Sequence, residues 1–526
     1  MTDQINLRTK EFQREISLAF KLKASQSKVE EPLTTTKTAS TLAVIYESAR
    51  NAVEFRADHL IRQAAIERIL KRRLFLNQKS KKLSELLIKE LLWARYLKPE
   101  SIPSSKVDEV SKIIDKYRFL LSYVGVNGSG KDDLAKRILE IASCEIEERL
   151  VFDPLSQVII NYVFETFLER FDFEERNPKV KSIQIYIAVE KGFGKNNDGL
   201  ISYKLLKTLI PSWFSDDVEV ERLRGEFLEN LEFVKLQLDY PLGAALRKEV
   251  IRLSAPFNLL REMIDTYQED FIDLISDKKV LNSAIESVLN GLYQETRDKL
   301  SRASVRSIIY IFLTKMIIGI LLELPVDLLL GRLNLLALGI NLGFPPLLMF
   351  LLNLDINIPG NKNTEMIVEA IDDYFYSQDK PEVKFLSSGD KKQKVQRIFW
   401  FFYLFMFVVT FGGVIWLLTK LGFNPVSQLI FIFFLSVVSF FAYRVRGIAK
   451  EFSLEAADTE SLISSFKDFL FLPIIKVGQW LSAKIASFNL LSFVLDFIIE
   501  APLKVFLEVI EEWIHFIKAK KEEIVS

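Results

Sequence analysis

The stretch from Ile398 to Leu418 reads IFWFFYLFMFVVTFGGVIWLL and contains no charged side chain. A transmembrane helix requires about 20 predominantly apolar residues. A second stretch of this kind extends from Val426 to Tyr443, and Lys420 is the single charged residue between Ile398 and Tyr443. The two stretches are therefore predicted to be transmembrane helices that form a hairpin within residues 397–445.

Two further apolar stretches lie earlier, within residues 306–354. Ser307–Leu324 contains Lys315, and Leu333–Leu354 is interrupted by the dipeptide Pro345-Pro346. Prolines leave backbone carbonyls without their helical partners, and inside a membrane these carbonyls must find other donors. We therefore expect a first hairpin whose two segments either span the membrane or form kinked or re-entrant pieces.

Lysine and arginine are distributed unequally between the two sides of the four predicted spans. Many of them flank the spans on the side of the N-terminal region, residues 355–396 and the C-terminal region. The opposite side carries Arg332 and Lys420. Short loops rich in Lys and Arg remain cytoplasmic. The asymmetry predicts a multi-pass protein of the cell (inner or plasma) membrane, with both termini and the loop of residues 355–396 in the cytoplasm.

The residues that precede the membrane segments mix charged and aliphatic side chains at helical spacing. Residues 1–41 are predicted to form an amphipathic helix and a linker, and residues 42–305 a helical cytoplasmic domain. The strand-like alternation of Ser182–Ile187 is interpreted as helical because no turn signal follows it. The predicted fold class is all-α: a helical cytoplasmic domain, about four transmembrane helices and C-terminal amphipathic helices.

The C-terminal region, residues 446–526, combines a broad apolar face with a narrow charged stripe. The stripe recurs at three- and four-residue steps and consists of Asp496, Glu500, Lys504, Glu508, Glu511, His515 and Lys518. This pattern is typical of a helix that lies in the membrane interface, and it also suits a helix packed into a bundle. Both interpretations stay open, and Pro502 is expected to begin a new helix.

Residue counts exclude several classes of protein. The chain has one cysteine, Cys144, and two histidines, His59 and His515, so an intramolecular disulfide is impossible and a thiolate metal cluster is not expected. Lys+Arg 69 balances Asp+Glu 69, which argues against a nucleic-acid partner. We expect no metal, no cofactor and no enzymatic activity.

A basic cluster interrupts this balance locally. It consists of Arg68, Lys71, Arg72, Arg73, Lys79, Lys81 and Lys82. Such a cluster attracts anionic lipid or RNA, but acidic residues lie close by in the sequence. We interpret it as a solvated helix face.

The segment from Gly125 to Asp132 reads GVNGSGKD. It resembles the P-loop of nucleoside triphosphatases, in which backbone amides hold phosphate and a lysine reaches the terminal phosphates. The resemblance implies Gly125, Gly130 and Lys131 as nucleotide-binding residues, with Phe119–Val124 as the preceding strand. Asp132 occupies the position where the motif requires Ser or Thr. A glycine turn between two helices is the preferred interpretation.

A second short motif lies between Gly194 and Ser202. It resembles half of an EF-hand calcium loop, but Gly194 and Leu205 stand where the first acidic ligand and the closing glutamate belong. We therefore interpret this segment as a turn between helices.

Three ionisable residues, Lys315, Glu323 and Asp327, lie in or near the first predicted span. Charges inside a membrane are costly, so they mark ion paths, proton relays or ion pairs. Lys315 and Glu323 are expected either to pair across two helical turns or to reach the two membrane boundaries separately. Asn341 in the second span is a further polar residue for a small cavity.

These observations lead to hypotheses from different functional classes. The first is a non-enzymatic membrane-tethered scaffold or assembly protein, which acts through its helical cytoplasmic domain on a protein partner or as a homo-oligomer. An alternative is a small-solute or ion transporter or channel that uses Lys315, Glu323 and Asp327. A further alternative is a nucleotide-binding membrane protein that uses Lys131. The lipid bilayer is a partner in all three.

Overall fold

The computed structural model describes residues 5–25, 31–33, 57–74, 79–124, 129–173, 175, 177–329, 334–354, 359–377, 383–384, 391–449, 451–454 and 462–487, and the single positions 44, 47, 509 and 513. Most of these residues are helical. The helices are α1 (Leu7–Ser25), α2 (Asp58–Leu74), α3 (Ser80–Trp93), α4 (Lys106–Val124), α5 (Ser129–Leu150), α6 (Pro154–Arg170), α7 (Pro178–Gly192), α8 (Asp198–Leu209), α9 (Val220–Leu238), α10 (Gly243–Leu253), α11 (Ala255–Tyr267), α12 (Phe271–Ser276), α13 (Lys278–Ile318), α14 (Leu324–Leu329), α15 (Leu335–Leu354), α16 (Asn361–Tyr376), α17 (Lys391–Lys420), α18 (Pro425–Ala449) and α19 (Leu462–Ser487). Single turns of 3-10 helix cover Pro211–Phe214 and Gln268–Asp270, and a π turn covers Gly319–Glu323.

The fold class is all-α, as predicted. Among the described residues, the one β-ladder has two residues per strand, with β1 (Phe171–Asp172) parallel to β2 (Val383–Lys384). Ser182–Ile187 lies inside α7, which confirms its helical interpretation. The turn interpretation of the calcium-like segment is also confirmed, because the Asn197 side chain caps α8 by accepting a hydrogen bond from the Leu200 amide.

The strand considered for Phe119–Val124 is wrong, since this stretch is the last part of α4. Tyr117, Leu120 and Val124 recur at helical spacing, and all three are buried in one hydrophobic core. A strand would turn alternate residues to opposite faces and expose part of this apolar set.

Two hydrophobic cores organise the helices that precede the first predicted span. The first core is formed by α1, α6, α7, α10–α13 and α16, and the second by α2–α5, α7, α8 and α9. Helix α7 joins them: Ile185 and Val189, one turn apart, are buried in the first core, while Ile187 faces the second. We call this two-core unit the helical domain.

The segment between the second and third predicted spans is part of the helical domain. Ile367, Ile371 and Phe375 of α16 follow one face of the helix and are fully buried in the first core. Helix α1 packs into the same core, with its Phe12 ring stacked on Tyr162 at 4.2 Å between centroids. The structure therefore differs from the predicted division into separate segments, because the apolar faces of α1 and α16 need the same core for burial.

Four helices are long and apolar enough to cross a membrane, and each overlaps one of the four predicted stretches. They are α13 with its continuation to Val326, α15, α17 and α18. Together with α19 they share a third hydrophobic core, which includes Ile311, Met349, Phe411, Leu435 and Ile474. We call this unit the helix bundle.

The double proline does not interrupt the second of these helices. Pro345 and Pro346 lie inside α15, which has 20 residues and is therefore about 30 Å long. This length matches the hydrocarbon thickness of a bilayer. Of the two interpretations, the structure has the continuous helix.

Helix α19 of the C-terminal region packs into the bundle. Helix α19 lies along α18, and Gly478 meets the backbone of Ser436 and the side chain of Phe440. Ile474 of α19 is buried in the bundle core. Of the charged stripe, every residue lies outside the described part of the chain.

The basic cluster is a solvated face only in part. Its lysines, Lys71, Lys79, Lys81 and Lys82, are exposed as predicted, whereas its three arginines pair with buried carboxylates, in contrast to the prediction. The carboxylate of Glu90, which is fully buried, pairs with Arg72 at 2.6 Å and with Arg73 at 2.5 Å. Arg68 pairs with Glu47. A buried carboxylate requires such charge partners, so this part of the cluster is used inside the helical domain.

Candidate functional site

A buried ion pair occupies the interior of the bundle. Lys315 Nζ lies 2.6 Å from Glu323 Oε1, and the two side chains are 1% and 2% exposed. The Lys315 ammonium also lies 4.8 Å from the ring centroid of Phe434 on α18, a cation–π distance. The structure thus has the paired arrangement of these residues and not the separate boundary positions.

The π turn makes this pairing possible within one continuous helical segment. Side chains eight residues apart in a regular α-helix differ by about 80° around the axis. The i→i+5 turn at Gly319–Glu323 accommodates about one additional residue, which moves Glu323 back by roughly 100°. Lys315 and Glu323 consequently lie on the same face, which is turned towards α15 and α18.

Asn341 of α15 completes the cluster. Its Nδ2 donates a hydrogen bond to Glu323 Oε2 at 2.5 Å, so both carboxylate oxygens of Glu323 have a partner. Asn341 is 1% exposed. The polar group is thereby contributed by two of the four apolar helices, with the Phe434 ring of a third in contact.

Several polar oxygens near the bundle core have no hydrogen-bond partner in the part of the chain that the structure describes. They are Asn341 Oδ1, Thr410 Oγ1, Ser436 Oγ and Ser439 Oγ. Buried oxygens of this kind usually bind ordered water or a ligand. The bundle therefore offers hydrogen-bond acceptors beyond the ion pair itself.

The cluster is electrically neutral and can exchange a proton internally. Nζ and Oε1 are close enough for a proton to move from lysine to glutamate, which converts an ion pair into an amine and an acid. Both states have zero net charge, so both are compatible with a low-dielectric environment. The arrangement can therefore hold the helices together, and it can also serve as a step of a proton or ion path.

The remaining predicted site residues are not part of this cluster. Asp327 lies in α14, and its side chain is outside the described set. Gly130 and Lys131 lie in the first turn of α5, whereas Gly125 is not described. Among the described residues, the element that precedes this turn is the helix α4 and not a β-strand.

A second buried charge cluster lies in the helical domain. Lys116 Nζ contacts Glu145 Oε1 at 2.6 Å and donates to the Trp213 carbonyl at 3.1 Å, while Tyr117 Oη donates to Glu145 Oε2 at 2.6 Å. Burial lowers the pKa of Lys116, against the opposing effect of Glu145. The cluster borders a cleft of about 480 Å³ with charges of both signs, including Arg149 and Asp216. The Lys116–Glu145 cluster joins α4, α5 and the turn after α8.

Sequence reasoning missed parts of the bundle site. The contact of Lys315 with Phe434 and the unpartnered Ser436 and Ser439 were not predicted. Ser436 and Ser439 are three residues apart in the middle of a predominantly apolar span, so this spacing is a signal for a polar strip on one helix face.

No known protein family matches the sequence, and neither a curated protein nor a solved structure shows significant similarity to it.

Proposed function

We propose that this chain is an integral membrane protein that acts as a non-enzymatic scaffold. Its helical domain binds a partner protein and holds it at a set position over the cytoplasmic face of the membrane. The helical domain is built around two hydrophobic cores and offers a large helical surface for a partner. Its rigid attachment to the bundle supports a positioning role.

One observation carries this proposal: α13 runs without a break from the helical domain into the bundle. Leu281, Ile285 and Leu289 near its start are fully buried in the first core, and Ile311 near its end is buried in the bundle core. The helix has 41 residues and is therefore about 60 Å long. A continuous helix transmits orientation, whereas a flexible linker does not.

Two further connections strengthen the attachment. Asn363 at the start of α16 donates from Nδ2 to Tyr293 Oη of α13 and to the Phe452 carbonyl, and its Oδ1 accepts from the Leu454 amide. Lys195 pairs with Glu451 at 2.5 Å. Three segments thus meet on one side of the bundle: the segment before the first span, the one between the second and third spans, and the one after the fourth.

This common side supports a specific orientation. In the sequence, the three segments that meet there carry most of the flanking Lys and Arg residues, whereas the connection between the first two spans contributes Arg332 and the connection between the last two contributes Lys420. By the positive-inside rule the helical domain lies in the cytoplasm. The four apolar helices then cross the cell membrane, and the N-terminal region is cytoplasmic.

The scaffold proposal is tested by breaking α13 between its two anchored ends. Asp298 is exposed and lies between the buried parts, so Asp298→Pro removes a backbone hydrogen bond and kinks the helix without touching either core. Asp298→Ala is the matched control because alanine favours the helix. Each full-length variant is crosslinked in cells, purified in lipid nanodiscs and analysed by mass spectrometry.

We expect wild type and Asp298→Ala to carry a stoichiometric partner crosslinked to the helical domain. Asp298→Pro should reduce its recovery several-fold while membrane insertion is retained. A helical domain without crosslinked partner in the wild type contradicts the scaffold, and equal recovery from all three contradicts rigid positioning.

The buried cluster of Lys315, Glu323 and Asn341 in the bundle favours a second candidate function, that of a small-solute or ion transporter or channel. Its specific support is the pair of Lys315 and Glu323 with the unpartnered Asn341 Oδ1, since buried charges in apolar helices commonly serve ion paths. The test is proton and ion flux into liposomes that contain the full-length chain. Lys315→Leu should abolish a flux that Lys315→Arg retains, and folded Lys315→Leu protein with wild-type flux would exclude this role.

A further inference from the structure

The exposed face of α13 changes its chemistry where the helix enters the bundle. Arg302, Arg306, Ile309 and Leu313 follow one another along this face at intervals of three and four residues, and all four are exposed. Ile311, on the other side of the helix, is buried in the bundle core. The outward face of α13 is therefore basic over one turn and apolar over the turn that follows.

The change occurs at the depth of the lipid headgroups. Phe434 lies within one turn of the midpoint of the apolar span Pro425–Gly447 of α18, and Lys315 contacts its ring. If α18 crosses the membrane, as the proposed function holds, Lys315 lies near the bilayer centre. Arg306 and Arg302 precede Lys315 by nine and thirteen residues, which correspond to about 14 Å and 20 Å of helix. The hydrocarbon core ends about 15 Å from the centre, so both arginines reach its boundary.

Tyr310 marks the same boundary independently. Its side chain is 70% exposed, and it lies one turn closer to the bundle than Arg306. Tyrosine is enriched at membrane–water interfaces because its ring is apolar and its hydroxyl group is polar. The order of side chains along α13, basic, then tyrosine, then aliphatic, is the order expected for a helix that enters a bilayer through the headgroups.

The two guanidinium groups lack a carboxylate partner in the part of the chain that the structure describes. Lys299, one turn earlier, pairs with Glu295 at 2.8 Å, whereas Arg302 and Arg306 form no ion pair among these residues. Two like charges one helical turn apart repel each other, and the repulsion grows as the surroundings become less polar. An anion in contact with both side chains relieves this repulsion.

We propose that Arg302 and Arg306 bind the phosphate group of an anionic phospholipid, and that an acyl chain of this lipid lies along Ile309 and Leu313. Guanidinium groups bind phosphate oxygens through paired hydrogen bonds. A zwitterionic headgroup has no net charge to offset the two arginines, whereas an anionic headgroup does. The proposal rests on the membrane insertion of the four apolar helices, not on the identity of a scaffold partner.

A phospholipid fits this face better than a second copy of the chain does. The lipid carries its negative headgroup beside an apolar tail, which is the order of the complementary side chains on α13. A two-fold interface through this face would bring Arg302 and Arg306 of both copies together at the same depth. Four positive charges at the edge of the hydrocarbon core would then repel one another.

The first test measures which lipid the full-length protein retains. Detergent-solubilised protein is mixed with equal amounts of phosphatidylglycerol and phosphatidylcholine that have the same acyl chains, and bound lipids are counted by native mass spectrometry. We expect wild type to retain phosphatidylglycerol several-fold over phosphatidylcholine, and Arg302→Gln/Arg306→Gln to lose this preference. Equal retention of phosphatidylglycerol by wild type and the double variant overturns the proposal.

Arg297→Gln is the matched control for this test. Arg297 is an exposed arginine of the same helix, but it lies on the opposite face from Arg306 and farther from the bundle. Its replacement removes one positive charge without touching the proposed site. The preference of Arg297→Gln for phosphatidylglycerol should match that of wild type, and a loss equal to that of the double variant would show a general charge effect and overturn the assignment.

The second test measures melting temperatures in nanodiscs. A ligand that binds only the folded protein stabilises it, so wild type should melt several degrees higher with phosphatidylglycerol than in phosphatidylcholine alone. Arg302→Gln/Arg306→Gln should melt at the same temperature in both. Inorganic phosphate added to phosphatidylcholine nanodiscs should leave wild type unchanged, and a rise as large as that with phosphatidylglycerol would identify free phosphate as the ligand and overturn the lipid assignment.

Failure of this inference is distinguishable from failure of the proposed function. A chain that alkaline carbonate extracts from cell membranes contradicts the insertion on which both depend. An inserted chain without preference for phosphatidylglycerol contradicts the lipid site alone and leaves partner recovery by the helical domain unaffected.

Discussion

At the residue scale, burial decides what each charge does. Glu90 is fully buried and has two arginine partners, whereas the Lys299–Glu295 pair is 59% and 54% exposed. An exposed pair is screened by water and contributes little to stability, while removal of one partner from a buried pair costs about 3–5 kcal/mol. The Lys315–Glu323 pair belongs to the buried class. Stability therefore requires that the pair remain electrically neutral, whichever function it serves.

His59 at the start of α2 is the residue for which we predict a pH effect. Burial lowers its pKa from 6.5, and Arg62 and Lys204 act in the same direction against the hydrogen bond between His59 Nε2 and Asn196 Oδ1. Below pH 6.5 the unfolded chain therefore binds a proton at this position before the folded protein does. The free energy of unfolding consequently falls as the pH decreases from about 6.5 to the lower folded-state pKa.

We expect His59→Gln to reduce this loss, because glutamine keeps a hydrogen-bond donor and does not titrate. The measurement is the melting temperature of full-length protein in nanodiscs at pH 7.5 and pH 5.5. His515→Gln serves as the control and should retain the wild-type shift. An equal shift in wild type and His59→Gln would show that His59 does not contribute.

At the element scale, close contact between helices depends on single small residues. Gly478 allows α19 to approach α18 so closely that a Cβ atom there would lie 2.7 Å from Phe440 Cβ and would overlap the Ser436 carbonyl. Small residues permit such approaches between helices in membranes. Gly447, also in this helix pair, has nothing within 4 Å of its hypothetical Cβ.

We predict that Gly478→Ala separates α19 from α18 and destabilises the protein by about 1–3 kcal/mol, the usual cost of overpacking. Gly447→Ala should leave the melting temperature unchanged or raise it slightly, because alanine favours helix. Thermal unfolding in nanodiscs measures both. Equal stability of the two variants would mean that α19 does not pack against α18 at this point.

At the scale of the whole molecule, the attachment of the helical domain to the bundle depends on a few polar contacts beside α13. Asn363 is fully buried and uses both amide atoms to join α13, α16 and the segment Glu451–Leu454. Buried polar groups that lose a partner cost about 1–3 kcal/mol. Loss of the Asn363 side chain is therefore expected to weaken the attachment of the helical domain to the bundle.

Asn363→Ala should loosen this junction without unfolding either core. We expect faster hydrogen exchange at Glu451–Leu454 and at the start of α16, measured on full-length protein in nanodiscs. Asn361→Ala, at an exposed position of the same helix end, is the control and should exchange like wild type. Unchanged exchange in Asn363→Ala would contradict a role of this side chain in the attachment.

Helical class and the four apolar helices were predictable from the sequence, because both depend on properties of short continuous segments. An apolar run such as Ile398–Leu418 has its length and hydrophobicity whatever surrounds it. The tertiary structure decided which segments meet: Lys315 pairs with Glu323 only through the π turn and the contact with α15, and α16 enters the first core although it follows two apolar helices. Such contacts depend on the relative positions of distant segments, and these positions follow from the joint burial of all apolar faces and not from any one of them.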